Sequence, residues 1–411
     1  MAGAGETRSI FTDAGAYADP DGWHAQAAAL RARPGPVRVT DPGFAPFWAV
    51  VHHADVRDVE QRSNIFKNAP HPILVPGANR EGGGPPVRNL VGMDDDEHRT
   101  YRGLIAPWFL PSALKRRKRE IEAIAQERIE ALTVGDSRLD FANVVSCGLP
   151  LRFINATLGI PSADDAQIHG WTTELFGIDD ATVAGADREA ALQRAVSALG
   201  EYFMGMTARL RAHPDDTLGS VLANAEVDGR PLGPDLLVTY FILLSAAGHD
   251  TVATVLAGGI EALARHPDQL ALLQSDPSLI GNAVEEIMRW VTPTKHFMRN
   301  ATSATTVGGR DIESGDWLLL SFASANRDET VFDEPASFDV TRVNAREHLS
   351  FGIGPHHCIG STLARLQLTT FFEKLLPRVR LLELDGDVEY SRTTFVSTFR
   401  QLPVRLEVAA H

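Results

Sequence analysis

Residues 351–360, FGIGPHHCIG, constrain this chain more than any other stretch of it. Three glycines (Gly352, Gly354, Gly360), a proline and no aliphatic run make a shaped loop, where backbone must approach something closely. The next segment, STLARLQLTTFFEKLLP, sets Leu363, Leu366, Leu368, Phe371, Phe372 and Leu375 at helical spacing and stops at Pro377. Cys358 is therefore predicted at or just before a helix N-terminus, where unpaired N–H groups and the positive dipole end favour a thiolate. Taken alone, a single cysteine is more often a small buried hydrophobe. A zinc site of His356, His357 and Cys358 fails on geometry, because three consecutive residues cannot all face one tetrahedral ion and no CxxC or HxxxH accompanies them. From the loop alone a nucleophilic cysteine stays open.

At 411 residues the chain could hold two or three domains. No Ser/Gly-rich linker, repeat or composition break appears, so one domain spanning 1–411 is expected. Its other cysteine, Cys147, lies far from Cys358 and reads as a core residue; two such cysteines fit a reducing cytoplasm and not a disulfide framework. The first residues carry no apolar run of signal-peptide or anchor length. Residues 236–262 approach spanning length, but His249 and Asp250 at their centre would cost several kcal/mol in hydrocarbon. A buried core helix over 234–265 is expected, and no membrane partner. A net charge of −14 argues against a general nucleic-acid binder.

In chain order, WAVVHHADVRDVEQRS predicts a strand ending near His52 and then a helix, with Asp55 as candidate cap. Residues 68–92, rich in proline with a triple glycine, read as a long binding loop or lid. MDDDEHRTYR places acids in a first helical turn, and His98 and Arg102 on one face. Lys115 to Arg119 form a basic run. Helices are predicted at 120–132, 149–158, 166–177, 187–212 and 215–226, with a second candidate lid at 176–189. VDGRPLGPD reads as a hairpin or loop, and Pro234 as a first helical residue. At the centre of the apolar 234–265 helix stands AAGHDT (246–251), where Gly248 costs ~1 kcal/mol against alanine and Asp250 and Thr251 are costly to bury. EEIMRW follows, with Glu286 and Arg289 three apart. Residues 291–323 alternate as short strands around a Gly-Gly turn, and the C-terminal strands turn near 395–397.

The loop F-G-x-G-x-H-x-C-x-G resembles that of the cytochrome P450 family of haem-thiolate monooxygenases, and DxEHxxxR, AGHDT and ExxR appear in that family's order over nearly the whole chain. The resemblance implies a mainly helical fold with a small β-rich region, holding haem b between the 234–265 helix and the cysteine loop. It makes Cys358 the axial iron ligand, whose sulfur pushes electron density onto the metal. Phe351, Gly352, His356 and Gly360 would bind the cofactor from the loop beneath the macrocycle; His98, Arg102 and Arg299 reach its propionates; Ala247 and Gly248 leave room for dioxygen. Thr251 and Asp250 would be the catalytic pair that manages protons, and Glu286–Arg289 a structural ion pair engaging residues 325–342. The 68–92 loop, Leu243, Ala246, Thr294, Phe297 and Val396 would meet the substrate. Similarity in WVTPTKHFMRNA and SFASANRDETVF is to bacterial members that hydroxylate terpenoids, with steroid-oxidising members sharing parts; TTFVSTF departs from the more glycine-rich turn expected there. The implied activity is insertion of one oxygen atom from dioxygen into a hydrophobic small molecule, with electrons from a ferredoxin and its reductase. A haem-thiolate peroxygenase and a non-catalytic haem sensor or carrier are the alternatives, and Asp250-Thr251 argues against both.

Overall fold

The computed structural model describes residues 9–77, 88–134, 137–146, 148–176 and 188–410. Cys147, most of the 176–189 break and residues 78–87 of the predicted lid lie outside them.

Its organising element is the helix Pro234–Arg265, 32 residues starting on Pro234 with Gly233 as N-cap, about 48 Å long at 1.5 Å per residue. Leu236, Leu237, Tyr240, Phe241 and Leu244 belong to one core cluster. Val252, Val255, Leu256, Ile260 and Leu263 belong to another. The AAGHDT stretch falls between the two. Glycine in the second half is required by packing: a Cβ on Gly258 would meet Val291 at 2.4 Å, and one on Gly259 would meet Phe372 at 2.7 Å. Those contacts bring helices Ile280–Val291 and Ser361–Leu375 tight against the central rod. The helix has a mean hydropathy of 1.4 in its most apolar window, and its burial within the protein accounts for that composition.

The largest sheet runs, in spatial order, Val37–Val39, Phe47–Val50, Trp317–Ser321, His296–Ala301, Phe66–Lys67. Phe47–Val50 pairs in parallel with Trp317–Ser321, and the other pairings are antiparallel. Phe297 and Arg299, two apart on one strand, consequently share a face. Asp228 and Gly229, at φ 53° and 69°, make the two-residue turn of the hairpin Glu226–Val227/Arg230–Pro231. Gly308 and Gly309 (φ 52° and 76°) turn the strand pair Thr305–Val307/Arg310–Ile312.

Two expectations are corrected. Helix Pro111–Val134 begins well before residue 120 and carries the whole basic run. The helix His53–Gln61 is capped at His52 without a side-chain bond; Asp55 lies in its first turn, 3.5 Å from His52.

Helix Ile280–Val291 buries two adjacent acids. Arg289 grips Glu286 with two bonds of 2.7 Å, and both side chains are fully buried. The same guanidinium donates to the carbonyls of Asn326 and Pro335 at 3.0 Å, while Arg342 and the Asp339 N–H complete the Glu286 carboxylate. Glu285 takes Arg365 at 2.8 Å and His348 at 3.1 Å. Burial alone would push the Glu285 carboxyl up, but His348 and Arg365 overcome it and hold the group at about 2.

Truncating Arg289 leaves a buried carboxylate short of its partner, so Arg289→Ala should cost on the order of 3–5 kcal/mol in urea unfolding. A carboxylate with a depressed folded pKa stabilises above its unfolded value and loses that contribution as pH falls. The deficit of Glu285→Gln should therefore be full at neutral pH and close between about pH 4.5 and about pH 2. An unchanged urea midpoint for Arg289→Ala, or a Glu285→Gln deficit that widens in acid, contradicts this account.

Candidate active site

The cysteine loop is built on two left-handed glycines, Gly352 (φ 61°) and Gly354 (φ 69°). Gly354 also passes so close to helix His53–Gln61 that a Cβ would stand 2.7 Å from the Glu60 carbonyl. The Cys358 N–H donates to the Phe351 carbonyl at 2.8 Å, closing the loop, and the Arg365 guanidinium lies 4.4 Å above the Phe351 ring. Gly360 caps the helix Ser361–Leu375. The Cys358 side chain is exposed and lines a cavity. Burial pushes its thiol up, outweighing the Gly360 N–H and the charges of Arg102 and Arg365. The N–H groups of Gly360 and Ser361 at the helix end favour the thiolate, as expected, but in the chain by itself desolvation is the larger effect.

One side of the cavity is basic. His98 and Arg102 project from helix Asp95–Ile105, Arg299 from its strand and His356 from the loop. The His98 and His356 rings lie 4.0 Å apart, and Arg102 donates to the His357 carbonyl at 2.7 Å. Burial, then the neighbouring charges of His356 and Arg102, lower His98 to about 4. Arg299 donates to Glu60 at 3.0 Å, and the other Glu60 oxygen accepts the Ile353 N–H at 2.8 Å. Burial raises the Glu60 carboxyl to about 7 despite Arg299. Four basic side chains thus meet one acid on the wall itself. Glu60 escaped the sequence reading, although its place on the buried Val56–Val59 face of its helix was a usable signal: an acid among apolar positions.

Leu243, Ala247, Gly248 and Thr251 line the same cavity from one face of the central helix. Thr251 Oγ1 donates to the Ala247 carbonyl at 2.8 Å, so its lone pairs remain to accept from the cavity side. Gly248 has a second cause: a Cβ there would strike Ile154 at 2.8 Å, so close packing of helix Leu149–Leu158 also demands glycine. Ile154 itself joins the wall, a contact no local motif announces.

Thr294 and Phe297 complete the wall with Leu90, Val91 and Leu244. Ala246, Val396 and Asp250 are outside it. Ala246 is buried on another side of the helix. Asp250 turns to His249, with Oδ1 2.9 Å from Nδ1. Val396 pairs with Thr294 as an isolated bridge, one step behind the wall. The turn there holds without glycine because Lys295 Nζ donates to the carbonyls of Thr393 (2.5 Å) and Val396 (3.2 Å). His296 extends the clamp: Nδ1 donates to Thr394 O at 3.1 Å and Nε2 accepts the Leu74 N–H at 3.2 Å. Burial drives this imidazole down to about 3, which suits one donating and one accepting nitrogen.

The cavity offers about 230 Å³ to the centres of water-sized molecules. Its donor set fits haem: a lone thiol facing the cavity, an apolar interior, and basic side chains gathered where a dianionic edge would lie.

The comparisons agree with that geometry. A family model described as Cytochrome P450 matches residues 187–408. The chain is 36% identical over 383 residues to Cytochrome P450-terp of a Pseudomonas species, covering 89% of each. It is 34% identical over 352 residues to a Steroid C26-monooxygenase of Mycobacterium tuberculosis, covering 85% of this chain and 92% of that one. The crystal structure of CYP108D1 from Novosphingobium aromaticivorans superposes with a TM-score of 0.89 at 35% identity, over 97% of this chain and 98% of the other. A family model and relatives matched over this much of their length decide the question: the chain belongs to the cytochrome P450 family, and is a monooxygenase that carries haem b.

Proposed function

We propose that this enzyme hydroxylates an uncharged or weakly polar terpenoid or steroid-like molecule, with dioxygen and two electrons from a ferredoxin and its reductase. The observation that carries the reading is one cavity lined together by Cys358, by Ala247, Gly248 and Thr251 of the central helix, and by His98, Arg102, Arg299 and His356. Cys358 is the axial ligand in this reading. His98, Arg102, Arg299 and His356 hold the two propionates by charge-assisted bonds, with Phe351, Gly352 and Gly360 packed on the thiol side. Bound haem supplies the iron centre for the chemistry of dioxygen. Ala247 and Gly248 keep space free, and Thr251, with Asp250 behind it, holds and passes protons there. Leu243, Thr294 and Phe297 meet the substrate; Ala246 and Val396 support that wall from behind.

The printed names of two relatives, P450-terp and Steroid C26-monooxygenase, support this substrate class. So does the wall away from the rim: Leu90, Val91, Ile154, Leu243, Leu244 and Phe297 offer no charge to hold a carboxylate. Burying a ten-carbon skeleton there supplies several kcal/mol at ~25 cal/mol per Å². For the partner, support comes from Lys115, Lys118 and Arg119, exposed on helix Pro111–Val134. That helix is tied to the cysteine-side helix by a 3.2 Å bond from Lys374 to Gln126. Arg117 is engaged locally, 3.8 Å over Trp108 and 3.7 Å from Glu120. We read the protein as one cytoplasmic domain, in keeping with the burial of its most apolar helix inside both main core clusters.

Reduced and exposed to carbon monoxide, the wild type should show the red-shifted Soret band of thiolate ligation, and Cys358→Ala should lose it. An unchanged band in that variant removes the ligand assignment. In a panel of monoterpenes, sesquiterpenes, steroids and fatty acids scored by the spectral shift of the haem, terpenoids or steroids should bind in the micromolar range; tight binding by fatty acids alone overturns the substrate class. Reversing Lys115 and Arg119 to glutamate should slow reduction by an acidic ferredoxin, most at low salt, with substrate affinity unchanged. Equal reduction rates place the docking face elsewhere.

A further inference from the structure

His249 belongs to none of the roles above, yet its surroundings are unusual. The side chain is 2% exposed, and neither ring nitrogen has a hydrogen-bond partner. An imidazole carries at least one N–H in each ordinary protonation state, and a buried donor or acceptor left unmet costs about 1–3 kcal/mol. An aliphatic side chain would fill the same space without that cost, so packing does not explain a histidine here. On one side, Nδ1 lies 2.9 Å from Asp250 Oδ1, within ion-pair range but not aligned as a hydrogen bond. On the other, the His169 ring, from helix Asp165–Phe176, meets it edge-on with centroids 5.1 Å apart and planes at 82°. His169 is itself partly exposed. His169 thus meets His249 and His249 meets Asp250, whose chain neighbour Thr251 lines the cavity.

We propose that His169 and His249 are a proton path feeding Asp250 and Thr251, which rests on the monooxygenase reading. A cavity filled by an apolar substrate admits little water, so protons need an entrance through the protein. In each passage one proton moves and no electrons do. Surface water protonates His169; His169 hands its proton to His249 Nε2; His249 releases the proton on Nδ1 to Asp250 Oδ1. The Asp250 side chain, 23% exposed, then turns toward Thr251 in this proposal, and the hydroxyl accepts the proton on a lone pair as it releases its own to the cavity. His249 is left neutral with its proton on Nε2 and resets when the ring turns over. Both histidines are positioning residues here, since neither touches substrate. Burial and the neighbouring His249 hold His169 below its ordinary pKa, while Asp250 raises it, so the two sites are in electrostatic contact along the path.

The test uses haem-loaded His249→Phe, His169→Phe and His169→Gln, with Thr251→Ala as reference. All should keep the thiolate carbon monoxide spectrum and wild-type substrate affinity. The three histidine variants should lose product per electron several-fold, release hydrogen peroxide as Thr251→Ala does, and show a larger solvent deuterium isotope effect than wild type. Independently of turnover, NMR of the histidine rings in the diamagnetic ferrous carbon monoxide complex should show His169 titrating at higher pH in His249→Phe, because a positive neighbour is removed. Should His249→Phe fail to fold, the two His169 variants on the part-exposed helix carry the test. Wild-type coupling and isotope effects in the histidine variants, or an unmoved His169 titration, overturn the path. That failure differs from failure of the monooxygenase reading, in which the wild type itself lacks the thiolate spectrum.

Discussion

One helix serving two cores is the constraint on which the rest of this protein depends. Pro234–Arg265 is apolar around most of its circumference because Leu236 to Leu244 bury in one cluster and Val252 to Leu263 in the other. Between them the apolar sequence is interrupted at 246–251, and there the protein has a cavity where a continuous core would otherwise run. A helix that is well anchored at both ends can carry a glycine and an unpaired histidine at its middle, each destabilising by itself. The site is therefore placed where the scaffold is stiffest along its length and weakest across it.

The electrostatics divide along the same cavity. The thiol side is held by backbone geometry: left-handed glycines, the Cys358 amide on the Phe351 carbonyl, and Glu60 accepting the Ile353 N–H. The rim is held by charge, with Arg299 on Glu60 and His98 against His356. Taken without its cofactor, this arrangement is under tension. Basic groups crowd one edge, and burial disfavours the thiolate. A dianionic edge and a cationic metal relieve both at once. The protein's polar groups are arranged for a complex and not for the chain alone.

Much of this was legible in the sequence. The bounds of the central helix were set by Gly233-Pro234 and the apolar run that follows. The cysteine loop, the His98/Arg102 face and the Glu286–Arg289 pair could be read because each depends on short spacings or on glycine. What could not be read depends on distant chain segments meeting. Gly248 looks like space left for a ligand, yet Ile154, nearly a hundred residues earlier, needs the same space. Asp250 sits in the right motif, but its side chain turns to His249, a choice set by packing. Val396 and Ala246 are outside the wall although their neighbours line it, a distinction no periodicity resolves. In place of the expected glycine-rich turn, Lys295, just before another strand, holds the turn by donating to two of its carbonyls, a contact between distant segments.

That lysine and the histidine after it join distant parts of the protein. His296 bonds with one nitrogen to the C-terminal turn at Thr394 and with the other to Leu74. The neighbouring Met298 N–H fixes the same segment through Pro72 at 2.8 Å. Because a neutral imidazole has one donor and one acceptor, neither bond can be exchanged for the other without reversing both. The C-terminal turn and the segment around Leu74 are thereby hung on a common bracket. A displacement of the wall beside it at Thr294 is felt in both segments together, because a single imidazole holds them.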